Sequence, residues 1–132
     1  MQWSKLKTRV QSLLEPELRK RIDFHATSYR KSHDEAERAW ITVDGETVFT
    51  ASWYQHQWGT AEARPQDFGD ALRRYPDMAI AEAIRDPEPV IRALAMIDRR
   101  LGTRQLIQHK PKSGEHPLVK LFYKLRVEKA AD

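Results

Sequence analysis

The alternation of apolar and polar residues along this chain changes period twice, and each change marks a boundary between elements. In residues 3–14, Trp3, Leu6, Val10, Leu13 and Leu14 fall at helical spacing with Lys5, Lys7 and Arg9 off the stripe, which predicts a helix that Pro16 ends or redirects. From 21 to 30 the period drops to two. Ile22, Phe24 and Ala26 share one face and Asp23, His25, Thr27 and Tyr29 the other, a half-buried strand followed by a polar loop over 31–37. Residues 38–43 and 46–54 are two β-rich runs flanking Asp44-Gly45, a pair suited to the positive φ angles of a type I′ hairpin turn. A simple two-residue turn sets Val43 against Glu46, Ile41 against Val48 and Trp40 against Phe49. It places Ala39, Ile41, Val43 and Val48 on one face and Trp40, Phe49, Ala51 and Trp53 on the other.

After a loop at 55–64 the helical period returns. Pro65 opens a helix through Arg74 with Phe68, Ala71 and Leu72 inward, and Ala79, Ile80, Ala83 and Ile84 predict a shorter one. The sharpest signal runs from Asp86 to Gly102. Asp86 reads as N-cap, Pro87 suits the first turn, and Glu88 and Arg92 form an i,i+4 pair. Val90, Leu94, Ile97 and Leu101 make the stripe, Arg99 and Arg100 lie at the negative end, and Gly102 is the expected αL stop. Residues 103–109 add a turn of helix, 110–115 form a basic loop, and Pro117 opens a last helix striped by Leu118, Leu121, Phe122 and Leu125, fraying from Ala130. The expectation is an α+β fold in a single domain over 1–132: an N-terminal helix and three-stranded antiparallel meander in 1–54, then a C-terminal helical half in 65–130.

Two blocks, Arg21–Arg30 with Trp40–Gly45 and Ile91–Gly102, resemble an uncharacterised bacterial family of small conserved hypothetical proteins. Trp3-Ser4-Lys5 and His116–Val119 extend the resemblance over most of the chain. It implies one domain and a bacterial cytoplasmic setting, and brings no cofactor or catalytic residue with it. Met78–Gly102 also looks like a single helical hairpin of the HEAT type, but no second copy is present to stack on it.

Composition narrows the chemistry. The 132 residues contain no cysteine, which excludes disulfides, thiolate nucleophiles and Cys-ligated zinc. No apolar run approaches the ~18 residues of a membrane span, and the charged N-terminus does not read as a signal peptide, so a cytoplasmic protein with no membrane partner is expected. The net charge of +4 is unevenly spread. Residues 1–43 carry nine Lys/Arg against six Asp/Glu, 44–88 four against nine, and 89–132 ten against four. An acidic middle between basic ends can complement itself within one chain or across a homodimer, and a basic last third can meet a polyanion.

No sharp catalytic motif is present. The five glycines are scattered, no G-x-S-x-G exists, and none of His25, His33, His56, His109 and His116 forms a helical ligand pair. His25 with Asp23 and Tyr29 on one strand face, near His33 and Asp34, is the candidate for acid–base chemistry, although a hydrogen-bonded structural histidine is the plainer account. No metal site or cofactor is expected, His109 and His116 being the weak exception. Trp40, Phe49 and Trp53, with Arg38 and Arg30 nearby, form either a base-stacking patch or part of the core. Arg99, Arg100, Arg104, Lys110, Lys112, Lys120, Lys124 and Arg126 are either a phosphate-binding surface or solvated helix faces. The leading expectation is a non-enzymatic module that binds an unknown protein partner or self-associates. Nucleic-acid binding stands second and a small His25-centred enzyme third.

Overall fold

The computed structural model describes residues 3–27, 38–52 and 65–131. Two short helices, α1 (Trp3–Ser12) and α2 (Pro16–Arg19), lead into the antiparallel strands β1 (Ile22–Thr27), β2 (Arg38–Val43) and β3 (Glu46–Ser52). Then come α3 (Pro65–Arg74), a 3-10 turn at Tyr75–Asp77, α4 (Ile80–Ala83), α5 (Pro89–Met96), α6 (Thr103–Gln108) and α7 (Pro117–Ala131). The sheet order is β1-β2-β3, a meander, and the whole is the expected α+β arrangement. Tyr29 and Arg30, the loop at 31–37, and Trp53 with the loop at 55–64 lie outside the described residues.

One face of the sheet supplies the core. Ile22, Phe24, Ala39, Ile41, Val43, Phe49 and Ala51 are buried on it, and α3 covers it with Phe68, Ala71 and Leu72. Phe49 stacks on Phe68 with ring centroids 5.8 Å apart. Behind α3 lies α5, whose Val90, Ile91, Ala93, Leu94, Ala95 and Met96 are all buried, and α5 packs along α7 through Leu118, Val119, Phe122 and Leu125. Leu6 and Val10 fasten α1 onto α3 and the 3-10 turn. With its apolar side chains buried, α5 has no apolar face left for another molecule, so the second helix of the segment resembling a HEAT hairpin serves as interior here.

The turn is as expected: Asp44 and Gly45 take φ of 53° and 86°. The register beyond it is not. Val43 pairs with Glu46 and Thr42 with Thr47, but Ile41 then pairs with Phe49 and Trp40 with Thr50. Val48 is an extra residue on β3, a β-bulge. Since side chains alternate with period two, one inserted residue exchanges the faces of everything after it. Phe49 and Ala51 therefore join Ile41 and Ala39 in the core, and Trp40 is left on the opposite face.

The helix expected to run to Leu101 stops at Met96, and its N-cap is Glu88, whose carboxylate accepts from the Val90 N–H, while Asp86 two residues earlier accepts from the Glu88 N–H. Backbone competition explains the early stop. Ile97 C=O accepts from Glu15 N–H at 2.8 Å, and Arg99 N–H donates to Leu13 C=O at 2.7 Å, so Leu14 and Asp98 form an antiparallel bridge. Those groups cannot also continue a helix. Gly102, at φ −73° and ψ 161°, is extended and caps α6 instead of taking an αL stop. Arg92 does not pair with Glu88. It holds Glu115 at 2.7 and 3.0 Å and donates to the Asp86 and Pro87 carbonyls.

Candidate nucleic-acid interface

The outward face of the sheet is built by β1 and β2. His25 and Trp40 are cross-strand partners, and their rings lie nearly parallel, 5.0 Å apart at 13°. Arg38, two residues from Trp40 on the same strand, places its guanidinium 4.9 Å from the indole centroid, a cation–π arrangement. His25 Nε2 lies 3.0 Å from Thr42 Oγ1 and 3.7 Å from Asp23 Oδ2. Asp23 is itself anchored to α1 by Lys7 at 2.7 Å and Gln11 at 3.3 Å. Burial alone would raise the Asp23 pKa, but the Lys7 ammonium and the Phe24 N–H outweigh it and hold it below the usual carboxylate value.

This geometry answers the acid–base reading. A histidine serving as general base needs the orienting carboxylate on one ring nitrogen and the reacting proton on the other. Here the carboxylate and the Thr42 hydroxyl both face Nε2, so Asp23, His25 and Thr42 are not in line as a relay; Tyr29, the third member of the candidate group, lies outside the described residues. Among the described residues no cluster of three or more His, Asp or Glu could hold a metal ion. His116 Nδ1 accepts from the Leu118 N–H at the start of α7, which occupies one of its ring nitrogens. The Trp40, Phe49 and Trp53 patch also comes apart: Phe49 is core, Trp40 is outward, and Trp53 is outside the described residues.

The basic set divides in the same way. Arg126 is buried, donating to the carbonyls of Met96, Asp98 and Leu101, and burial lowers its pKa from the ordinary arginine value. Arg100 grips Asp98 with Nε at 3.0 Å and Nη2 at 2.8 Å, an ion pair that raises its pKa. Arg99 donates to the Ser12 carbonyl. These three are structural. Arg104, Lys110, Lys112, Lys120 and Lys124 are exposed, on α6, the 109–116 loop and the outer face of α7. Lys120 Nζ donates to Ser113 C=O, which draws the first turns of α7 against the loop. Lys124 makes a long, exposed contact of 3.9 Å with Glu128. No acidic side chain among the described residues pairs with Arg104, Lys110, Lys112 or Lys120.

A model of the SF0329 protein family matches the chain over residues 2–66 and again over 61–127. The chain belongs to the SF0329 protein family. No curated protein and no solved structure matches it. No helix among the described residues of this SF0329 protein is long and apolar enough to cross a membrane.

Charge in the SF0329 protein is sorted by the fold. Four acids of the middle segment are paired within the chain: Asp44 with Arg21 at 2.8 Å, Asp77 with Arg9 at 2.9 Å, Asp86 with Arg74 at 3.1 Å, and Asp70 with Arg73. Two of those cations, Arg9 and Arg21, come from the N-terminal third. The last third keeps its excess, and it lies at the α6–loop–α7 end. Sequence reasoning missed the polar cluster beneath it. Asp98, fully buried, accepts from the Tyr75 hydroxyl, the Arg100 N–H at 2.8 Å and the Arg100 guanidinium. Burial, reinforced by the Asp98 carboxylate, pushes the Tyr75 phenol far above its ordinary pKa. Nothing in the pattern around Asp98 set it apart from an exposed helix-end carboxylate.

Proposed function

We propose that this protein is a non-enzymatic binding module whose recognition surface is the basic α6–loop–α7 end, and that its partner is a nucleic acid. The observation that carries this reading is the sorting of charge. Asp44, Asp77 and Asp86 of the middle segment are paired at the surface with arginines of the same chain, while Arg104, Lys110, Lys112 and Lys120 stay exposed with no acidic partner among the described residues. Cations grouped without counter-charges suit the regular phosphates of a nucleic-acid backbone, where each contact releases condensed counterions. Four such side chains fit a moderate, salt-sensitive affinity. A bacterial cytoplasmic setting accompanies this reading, drawn from the two sequence blocks that resemble small bacterial proteins.

The test is a fluorescence-anisotropy titration of labelled single-stranded RNA and duplex DNA at low and moderate salt. It compares the wild type with the combined Arg104→Ser, Lys110→Ser and Lys112→Ser variant. Binding that the triple variant weakens at least about tenfold supports the reading; no binding at low salt refutes it. A second reading, self-association or an acidic protein partner, draws on Ile107. It is 60% exposed and stands between Arg104 and Lys110, the one large apolar side chain displayed among the described residues. Sedimentation velocity without nucleic acid tests the self-association: a dimer that Ile107→Ser disperses would favour it.

A further inference from the structure

The outward face of the sheet carries a half-buried indole, Trp40. Trp3, Leu13, Val48, Leu121 and Tyr123 are half-buried apolar side chains packed against the core, and among the described residues Trp40 is not one of that set. It occupies the central strand, flanked by His25 on β1 and Thr50 on β3, with Thr42 and Thr47 continuing the face. Among the described residues, these neighbours on the face are polar or planar. Trp40 is instead one layer of a planar assembly: His25 parallel at 5.0 Å and the Arg38 guanidinium 4.9 Å from the indole centroid. The assembly is held from behind. Thr42 and Asp23 fix the His25 ring, and Lys7 and Gln11 on α1 fix Asp23. An aromatic ring stacked on a hydrogen-bonded neighbour, beside an exposed cation, is organised before any ligand arrives.

We propose that the Trp40–His25–Arg38 platform is a stacking site for one unpaired nucleobase, with Arg38 placed to meet the adjoining phosphate. The charge and the shape both select this occupant. A base offers a flat π-face to the indole, and its phosphate offers an anion to the guanidinium, whereas an apolar peptide side chain would leave Arg38 unanswered. The inference rests on the nucleic-acid reading for its polymer and deepens it, since a duplex keeps its bases stacked and only a single strand can supply one. The basic end would then hold the backbone of either form, and the sheet would discriminate between them.

The experiment measures the affinity of the full chain for a single-stranded RNA 12-mer and for a duplex DNA of equal length. The wild type is compared with Trp40→Ala, Trp40→Phe and the triple serine variant of the basic end. Trp40→Ala should weaken single-strand binding about tenfold and leave duplex affinity unchanged, and Trp40→Phe should restore most of the loss. The triple variant should weaken both. Equal effects of Trp40→Ala on the two polymers, or none on either, overturn the platform while leaving the basic-end reading standing. If the wild type binds neither polymer, that reading falls, and the platform is tested alone with adenosine 5′-monophosphate. Perturbation of the Trp40 indole N–H resonance, assigned by its loss in Trp40→Phe, supports the site; an unmoved resonance sinks it.

Discussion

Replacing Asp98 by alanine should destabilise the protein more than any other polar substitution in it. The carboxylate is fully buried and serves three donors: the Tyr75 hydroxyl, the Arg100 backbone N–H and the Arg100 guanidinium. Without it the Tyr75 hydroxyl is stranded in an interior where it is 0% exposed, at about 1–3 kcal/mol for an unsatisfied buried donor. Arg100, whose side chain is 28% exposed, recovers water, so the loss of its ion pair adds only about 1 kcal/mol. The turn at 98–100, which bridges to Leu14, loses its N–H acceptor as well. The total is about 3 kcal/mol, within reach of the roughly 3–5 kcal/mol seen when one partner of a buried pair is removed. For a chain of this length that is a fall in Tm of about 10–15 °C. Tyr75→Phe keeps the Asp98–Arg100 pair and should cost about 1 kcal/mol. The double variant should be less destabilised than the two single losses combined, because removing the hydroxyl also removes what Asp98→Ala strands. Urea denaturation of the four proteins completes the cycle. A loss under about 1 kcal/mol for Asp98→Ala, or strict additivity, would refute this account of the cluster.

The corrected strand register predicts that Phe49→Ala loses about 3–5 kcal/mol and Trp40→Ala under about 1.5, measured by urea denaturation; the reverse order would restore the uninterrupted pairing. Gly45→Ala should cost about 1–2 kcal/mol, read as a Tm shift, because its φ of 86° suits glycine while an added Cβ there meets no atom within 4 Å. The Glu115 carboxylate is held below its ordinary pKa, chiefly by the Arg92 guanidinium. A depressed folded-state pKa contributes stability that is complete above the unfolded value and disappears as pH falls through the folded one. Thermal melts between about pH 3 and 6 should therefore show a shallower acid loss in Arg92→Gln than in the wild type, and parallel curves would remove the ion pair from the account.

Much of the architecture was legible because apolar period maps directly onto element type. Phe68, Ala71 and Leu72 face the core as their spacing predicts, and Asp44-Gly45 makes the turn its φ requirements dictate. The departures share a cause: contacts distant in sequence override a local signal. Val48 is bulged so that Phe49 can reach Phe68, nineteen residues away, and nothing within 46–54 announces that partner. The helix from Pro89 stops at Met96 because residues 97–99 pair with Leu13–Glu15, more than eighty positions earlier. The candidate sites were legible only as residue types. Arginines 99, 100 and 126 read from sequence like Arg104, yet Arg100 and Arg126 turn to Asp98 and to buried carbonyls, and the exposed Arg99 is tied to the Ser12 carbonyl, leaving a smaller basic set. His25 and Trp40 both drew attention, but their stacking depends on the β1–β2 register, which the sequence does not carry.

The central claim, that the basic end binds a nucleic-acid backbone, is tested most directly by the salt dependence of single-stranded RNA binding. Four to five phosphate contacts from Arg104, Lys110, Lys112, Lys120 and Lys124 predict a slope of log K against log salt of about −3, falling to about −1 in the triple serine variant. A slope near zero, or one the three substitutions leave unchanged, would contradict it.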